Sequence, residues 1–330
     1  MKKIIALLLA LLMAVGMLAG CVKQNDDTDD TTDKLRIVTT IFPEYDWVKE
    51  ILGDKADHAD ITMLLDNGVD LHSYQPTADD IVKISDCDLF IYVGGESEGW
   101  AEDALKNSAN KDRKVINLLD VLGDSVKSEE VVEGMQEEEH EHEEGEAHEH
   151  EEEADEHVWL SLKNAEVLVG AISNALQELD AENKEIYAEN ADAYVKKLSA
   201  LDAEYQTAVD NATCKTVLFG DRFPFRYLAD DYGLNYYAAF VGCSAETEAS
   251  FETISFLAKK ADEMNLPCVL TIEGKHHKIA ETIVKNTAQK SQRILTMDSM
   301  QSTTSKDVAS GTTYLSVMEK NLAVLKEALG

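Results

Sequence analysis

The residues of this chain best suited to chemistry are histidines set among carboxylates. The stretch HEHEEGEAHEHEEEADEHVWLS, from His140 to Ser161, holds five of the nine histidines. His140, His142, His148 and His150 stand in an almost purely acidic run. His157 stands at its edge, followed at once by Val158, Trp159 and Leu160. Imidazole nitrogen and carboxylate oxygen are ligands for divalent ions such as zinc. On a chain without periodicity such groups bind weakly and many times over, which raises the ion concentration near any fixed site. The bland alternative is a solvated spacer, the usual role of such acidic runs.

A fixed site needs ligands that an ordered fold brings together. His72 lies in the loop DLHSYQPT after a predicted strand. Asp221 follows TVLFG in FGDRFPF, and Asp298 follows RILTM in TMDSM. Ligand-bearing residues in open α/β sheets lie beyond the carboxyl ends of strands. With His157 these make two imidazoles and two carboxylates from separate loops, a set that suits zinc and leaves manganese open. His276 and His277 are adjacent and read as a helix start. Cys87, Cys214, Cys243 and Cys268 contain no CxxC, so a thiolate zinc site finds little support. Cys214 and Cys268 open strand-like runs; they are either a disulfide between neighbouring strands or buried thiols.

The elements that must position these residues alternate. LRIVTTIF, ADITMLL, DLFIYVGG and KVINLLD read as strands, with helices at EYDWVKEILG, ADDIVKIS and WAEDALKN between them. Thr77, with Asp80 three residues on, reads as the cap of the second helix. From HVWLSLKNAEV a helical pattern resumes. A run of some thirty residues, AENKEIYAENADAYVKKLSALDAEYQTAVDNA, follows, roughly 45 Å long at 1.5 Å per residue. The alternation then restarts: TVLFG, LNYYAAF, PCVLTIEG and RILTMDS are strands, and a helix opened by Ser244 lies between the second and third. The prediction is an α/β protein of two lobes, each a mostly parallel sheet flanked by helices, on either side of one long helix. The boundaries are 35–178 for the first lobe, 179–212 for the linking helix and 213–330 for the second lobe, with 127–156 a disordered loop.

The 330 residues are 44% hydrophobic, enough for a sizeable core. The formal net charge is -34, and sixteen of the acidic residues lie between Glu129 and Glu156. Such a chain does not bind nucleic acid or anionic lipid through bulk charge, but its field favours cations. MKKIIALLLALLMAVGMLAGC reads as a secretory signal over residues 1–20, and LAGC has the form of a lipoprotein cleavage box that leaves Cys21 lipidated. The alternative is an uncleaved anchor. Residues 21–34 then form a polar tether. Both readings place the rest of the chain outside the cytoplasm.

DLHSYQPTADD, HVWLSLKNA, RFPFRYLADDYGL, GCSAETEAS, IEGKHHKIAETI and MDSM, in this order, resemble the metal-binding solute-binding lipoproteins of ABC importers, the zinc and manganese uptake proteins. The resemblance runs from Leu35 to the end. It implies two α/β lobes joined by one stiff helix, with little hinge motion and the metal held between the lobes. It also implies His72, His157 and Asp298 as ligands, and a mobile histidine loop at His140–His150. At the third position, where many zinc members carry His and manganese members a carboxylate, this sequence departs. Arg222 falls at the ungapped place, and Asp221 is the candidate if the loop shifts.

The expected activity is therefore capture of Zn2+, with Mn2+ as the alternative, and delivery to an ABC permease. No GxxxxGK[ST] is present, so the ATPase is a separate chain. Catalysis is not expected, since no HExxH occurs. A metallohydrolase on the same ligands would need a base such as Glu273. A third class is an adhesin or metal buffer acting through the acidic loop alone.

Overall fold

The computed structural model describes residues 34–106, 108–136, 153–244, 248–274 and 276–330. The expected signal and tether at 1–33, Cys21 among them, and the auxiliary histidines His140, His142, His148 and His150 lie outside the described residues.

β1 (Leu35–Thr39) is central in a four-stranded parallel sheet of order β2-β1-β3-β4, with β2 at Ala59–Met63, β3 at Leu89–Tyr92 and β4 at Lys114–Asn117. Ile37 pairs with Ile61 on one side and Leu89 on the other. Such near-continuous apolar runs are what a sheet covered on both faces requires. β1 is shorter than its sequence suggests: Phe42 opens α1 (Phe42–Leu52), with Pro43 in its first turn. Proline's fixed φ suits that position, and the Glu44 carboxylate accepts the amides of Thr40 and Ile41 at 2.8 and 3.3 Å. α2 (Ala78–Asp86) starts at the predicted cap, with Thr77 and Asp80 forming a reciprocal box. α3 (Trp100–Lys106) follows β3. The LLD of the expected fourth strand instead begins the short helix α4 (Leu118–Leu122), because the Asn117 side chain caps it at the Asp120 amide.

α5 (Leu162–Leu179) and α6 (Lys184–Asp210) lie between the two sheets in sequence. Over its 27 residues α6 is about 40 Å long at 1.5 Å per residue. Its buried residues Tyr187, Ala191, Tyr194, Leu198, Leu201, Tyr205 and Val209 recur every three or four positions, a single stripe along one face. The stripe packs on α5, on α1 and on the last helix, so the long helix belongs to the core of both lobes.

The second sheet repeats the topology of the first, in order β6-β5-β7-β8, from β5 (Thr216–Phe223), β6 (Asn235–Val241), β7 (Cys268–Thr271) and β8 (Arg293–Thr296). α7 (Arg226–Tyr232), α8 (Phe251–Glu263) and α9 (Lys278–Asn286) connect its strands, and α10 (Ser305–Ala309) and α11 (Tyr314–Leu329) close the chain. α8 is opened by Ser250, whose hydroxyl accepts the Thr253 amide at 3.1 Å, not by Ser244. The residues just after β6 are thereby left outside the helix. β5 slips register against β6 between Phe219 and Arg222. Gly220 at the slip touches α9 so closely that a Cβ would stand 2.6 Å from Ala280 Cα. The four cysteines among the described residues are free thiols, so Cys214 and Cys268 are not paired.

Candidate metal centre

Two segments of identical design carry the histidines. In Asp70-Leu71-His72 and in Asp155-Glu156-His157 the aspartate Oδ1 accepts both the backbone amide and the ring Nδ1 of the histidine two residues on. For His72 the distances are 3.1 and 2.6 Å; for His157 both are 2.9 Å. Nδ1 is thereby the protonated nitrogen and Nε2 keeps its lone pair for a cation, the usual second-sphere arrangement of a metal-binding imidazole. The rings lie 5.1 Å apart, and both Nε2 atoms are buried with no hydrogen-bond partner.

Cys243 joins them. One ligand atom each from His72, His157 and Cys243 lies within 4.8 Å of the others. Cys243 follows β6 through Gly242, where a Cβ would stand 3.0 Å from the His157 ring. That close approach of backbone to imidazole brings the next residue to the two histidines. The Cys243 amide donates to Glu129 Oε1 at 2.8 Å. Burial, then the charges of Glu129, Asp155 and Glu156, push its thiol far above the ordinary range, so the proton stays until a cation replaces it.

The site is braced across the lobes. Arg222, at the slipped end of β5, donates to Asp70 Oδ2 at 2.6 Å and to the Ser244 carbonyl at 3.3 Å. One guanidinium thus ties the His72 loop to the Cys243 loop. Burial works against the Asp70 carboxylate, but the His72 hydrogen bond and the Arg222 charge outweigh it and hold Asp70 well below the usual carboxylate range. Below His157, Trp159 Nε1 donates to the Ser299 carbonyl at 2.8 Å, and the Tyr314 hydroxyl donates to the Trp159 carbonyl at 2.7 Å.

Of the residues singled out in the sequence, His72 and His157 come together. Asp221 and Asp298 lie outside that group. Asp221 accepts the Arg222 amide at 2.9 Å, and burial raises its carboxyl against the charges of Arg222 and His277. Asp298 accepts the Met300 amide at 2.8 Å, and its own backbone is bonded on both sides by Asn321. Burial raises its carboxyl, and Glu273 beside it is raised by burial and by Asp298. Glu273 is occupied by the amides of Ser299 and Gln301, so it is not poised as a base. Sequence spacing missed Cys243, Asp70 and Asp155; the repeated D-x-H is the signal that marks the two aspartates.

The family model described as zinc-uptake complex component A, periplasmic (ZnuA), matches residues 37–328. The zinc-binding lipoprotein AdcA of Streptococcus pneumoniae is 34% identical over 327 residues, 99% of this chain and 61% of that protein. The high-affinity zinc uptake system protein ZnuA of Bacillus subtilis is 33% identical over 301 residues, 91% of this chain and 89% of that one. The crystal structure of the Zn(II)-bound ZnuA-like domain of S. pneumoniae AdcA superposes with a TM-score of 0.69 at 30% identity, over 90% of this chain and 99% of that one. The chain thus spans about three fifths of the length of AdcA.

Proposed function

Since this chain belongs to the family of periplasmic zinc-uptake component A proteins, we propose that it captures Zn2+ outside the cytoplasm and hands it to an ABC permease whose ATPase is another chain. The observation that carries the reading is the convergence of two aspartate-oriented imidazoles and one thiol within 4.8 Å. It acts by binding and release, not turnover.

The donor set supports zinc over manganese. Thiolate is a soft ligand that suits zinc, whereas manganese prefers carboxylate and water. Capture requires Cys243 to give up its proton, so affinity falls with acid. Asp70 and Asp155 hold the imidazoles in the binding tautomer, and Arg222 holds Asp70. We read residues 35–178 and 213–330 as the lobes, 179–212 as their link, 1–20 as a secretion signal and Cys21 as the lipid-bearing residue that keeps the protein at the membrane. His140, His142, His148 and His150 collect ion near the site. Competition of the purified protein against a chelating dye, with zinc and with manganese, tests the set. One tight zinc per chain is expected in the wild type and in Asp221→Ala and Asp298→Ala, and is lost in Cys243→Ala. Tight zinc in Cys243→Ala together with its loss in Asp298→Ala would replace the thiol by that carboxylate.

A further inference from the structure

We propose that Glu156 is a fourth ligand, so that the captured cation meets two imidazoles, one thiolate and one carboxylate. The proposal rests on reading His72, His157 and Cys243 as the metal site.

Glu156 is 2% exposed. Its Oε1 accepts the Ser97 amide at 2.9 Å, which fixes the carboxylate plane. Its Oε2 is buried, has no hydrogen-bond partner, and stands 3.7 Å from His72 Nε2, which is also unpartnered. Donor atoms on a tetrahedral zinc, with bonds of about 2.0–2.3 Å, stand roughly 3.3–3.6 Å apart. The carboxylate oxygen and the ring nitrogen are therefore too far apart to bond each other and close to the spacing that a shared ion requires; Glu156 is outside the 4.8 Å group of His72, His157 and Cys243, so its carboxylate must turn toward the other two as the ion enters. A buried, unsatisfied carboxylate oxygen is costly, and a cation between it and the imidazole removes that cost.

The surroundings keep room for this carboxylate. Gly95 adopts φ +80, and a Cβ there would lie 2.3 Å from Glu156 Oε1. The charge of Glu156 also acts on the Cys243 thiol, so the residue lies near a second ligand. The two D-x-H segments differ at their middle residue: Leu71 is a fully buried apolar side chain, and Glu156 is an ionisable one. As a ligand Glu156 would give a buried dication a second anionic donor beside the thiolate.

The competing role for Glu156 is a counter-charge to a protonated His72. Cobalt(II) loading of the full chain separates the two. Wild type is expected to show a sulfur-to-cobalt charge-transfer band and the ligand-field bands of a four-coordinate ion. In Glu156→Gln, which retains an acceptor for the Ser97 amide, the charge-transfer band persists, the ligand-field bands shift, and zinc affinity by chelator competition falls at least about 100-fold, the upper end of what loss of an outer-sphere partner costs. Glu156→Asp keeps the charge but not the reach, and is expected to lose affinity as well. Ligand-field bands unchanged in Glu156→Gln, or full zinc affinity in Glu156→Asp, would overturn the proposal while Cys243 stands. Absence of the charge-transfer band in wild type would overturn the parent reading, and this one with it.

Discussion

Replacing Cys243 by alanine is the sharpest perturbation of the site, because alanine removes the sulfur without adding a ligand. Cys243 follows a strand that is registered on β5, and its amide is anchored to Glu129 at 2.8 Å, so the backbone has a reason to stay in place. Structural zinc sites of four ligands bind with about 10–16 kcal/mol, so one ligand contributes roughly 2.5–4 kcal/mol, or about 100- to 1000-fold in affinity. An opposing term reduces this. The thiol is held far above its ordinary range by burial and by Glu129, so wild type must expel a proton at about 1.4 kcal/mol per pH unit, and alanine need not. The lower end, about 100-fold, is the expected loss at neutral pH. Two measurements check it: the zinc dissociation constant by chelator competition, and the protons released per zinc, read with a pH indicator. Cys243→Ala is expected to release about one proton fewer than wild type. Unchanged affinity with unchanged proton release would refute the assignment of this thiol to the ion.

Arg222→Ala frees Asp70 and cuts the tie between the His72 and Cys243 loops; zinc affinity is expected to fall about 10- to 100-fold by the same chelator competition. His157→Ala should abolish the zinc-induced rise in melting temperature, which in wild type corresponds to about 4 kcal/mol when free zinc is 1,000 times the dissociation constant; calorimetry with and without zinc reads it. Buried Asp46, whose Oδ2 accepts the Tyr314 amide at 2.9 Å, has its carboxyl raised by burial from 3.8 to about 7. Its folded form favours the proton, so its contribution to stability is fully present below about pH 4, falls as pH rises toward about 7, and levels off above, by up to about 4 kcal/mol. Asp46→Asn, which retains an acceptor for Tyr314, should remove that fall in urea-unfolding curves between pH 4 and 8; an identical slope in both proteins would contradict it. Leu198→Ala in the stripe of α6 is expected to cost about 2–5 kcal/mol in the same unfolding assay without altering zinc stoichiometry.

Local signals in the chain settled much of this molecule. The Thr77–Asp80 box, the three-four spacing of Tyr187 to Val209, and the β-branched runs of each sheet could be read directly, because caps, periodicity and strand composition act over a few residues. Two α/β halves around a long helix follow from them, and so does His157 as part of the fold; the expected disordered loop at 127–156 is too wide, since Ser128 bridges to Ala154 and Asp155 and Glu156 are buried. What only the tertiary structure decided is which side chains meet at the candidate site. Cysteine spacing cannot reveal Cys243, since its partners are two histidines 171 and 86 residues away in the chain rather than another cysteine. Its position depends on α8 starting at Ser250, six residues later than the first serine that could cap it. A one-residue question at β5 was decided by the register slip, which turns Arg222 to Asp70 and leaves Asp221 beside the His277 loop. Asp298 is at a strand end, as read; its Oδ1 accepts the Met300 amide and it is outside the group of His72, His157 and Cys243. Placement at the tip of a strand is a local property; the direction of the side chain there depends on sheet register and on the packing of one lobe against the other, and both are set by contacts far apart in sequence.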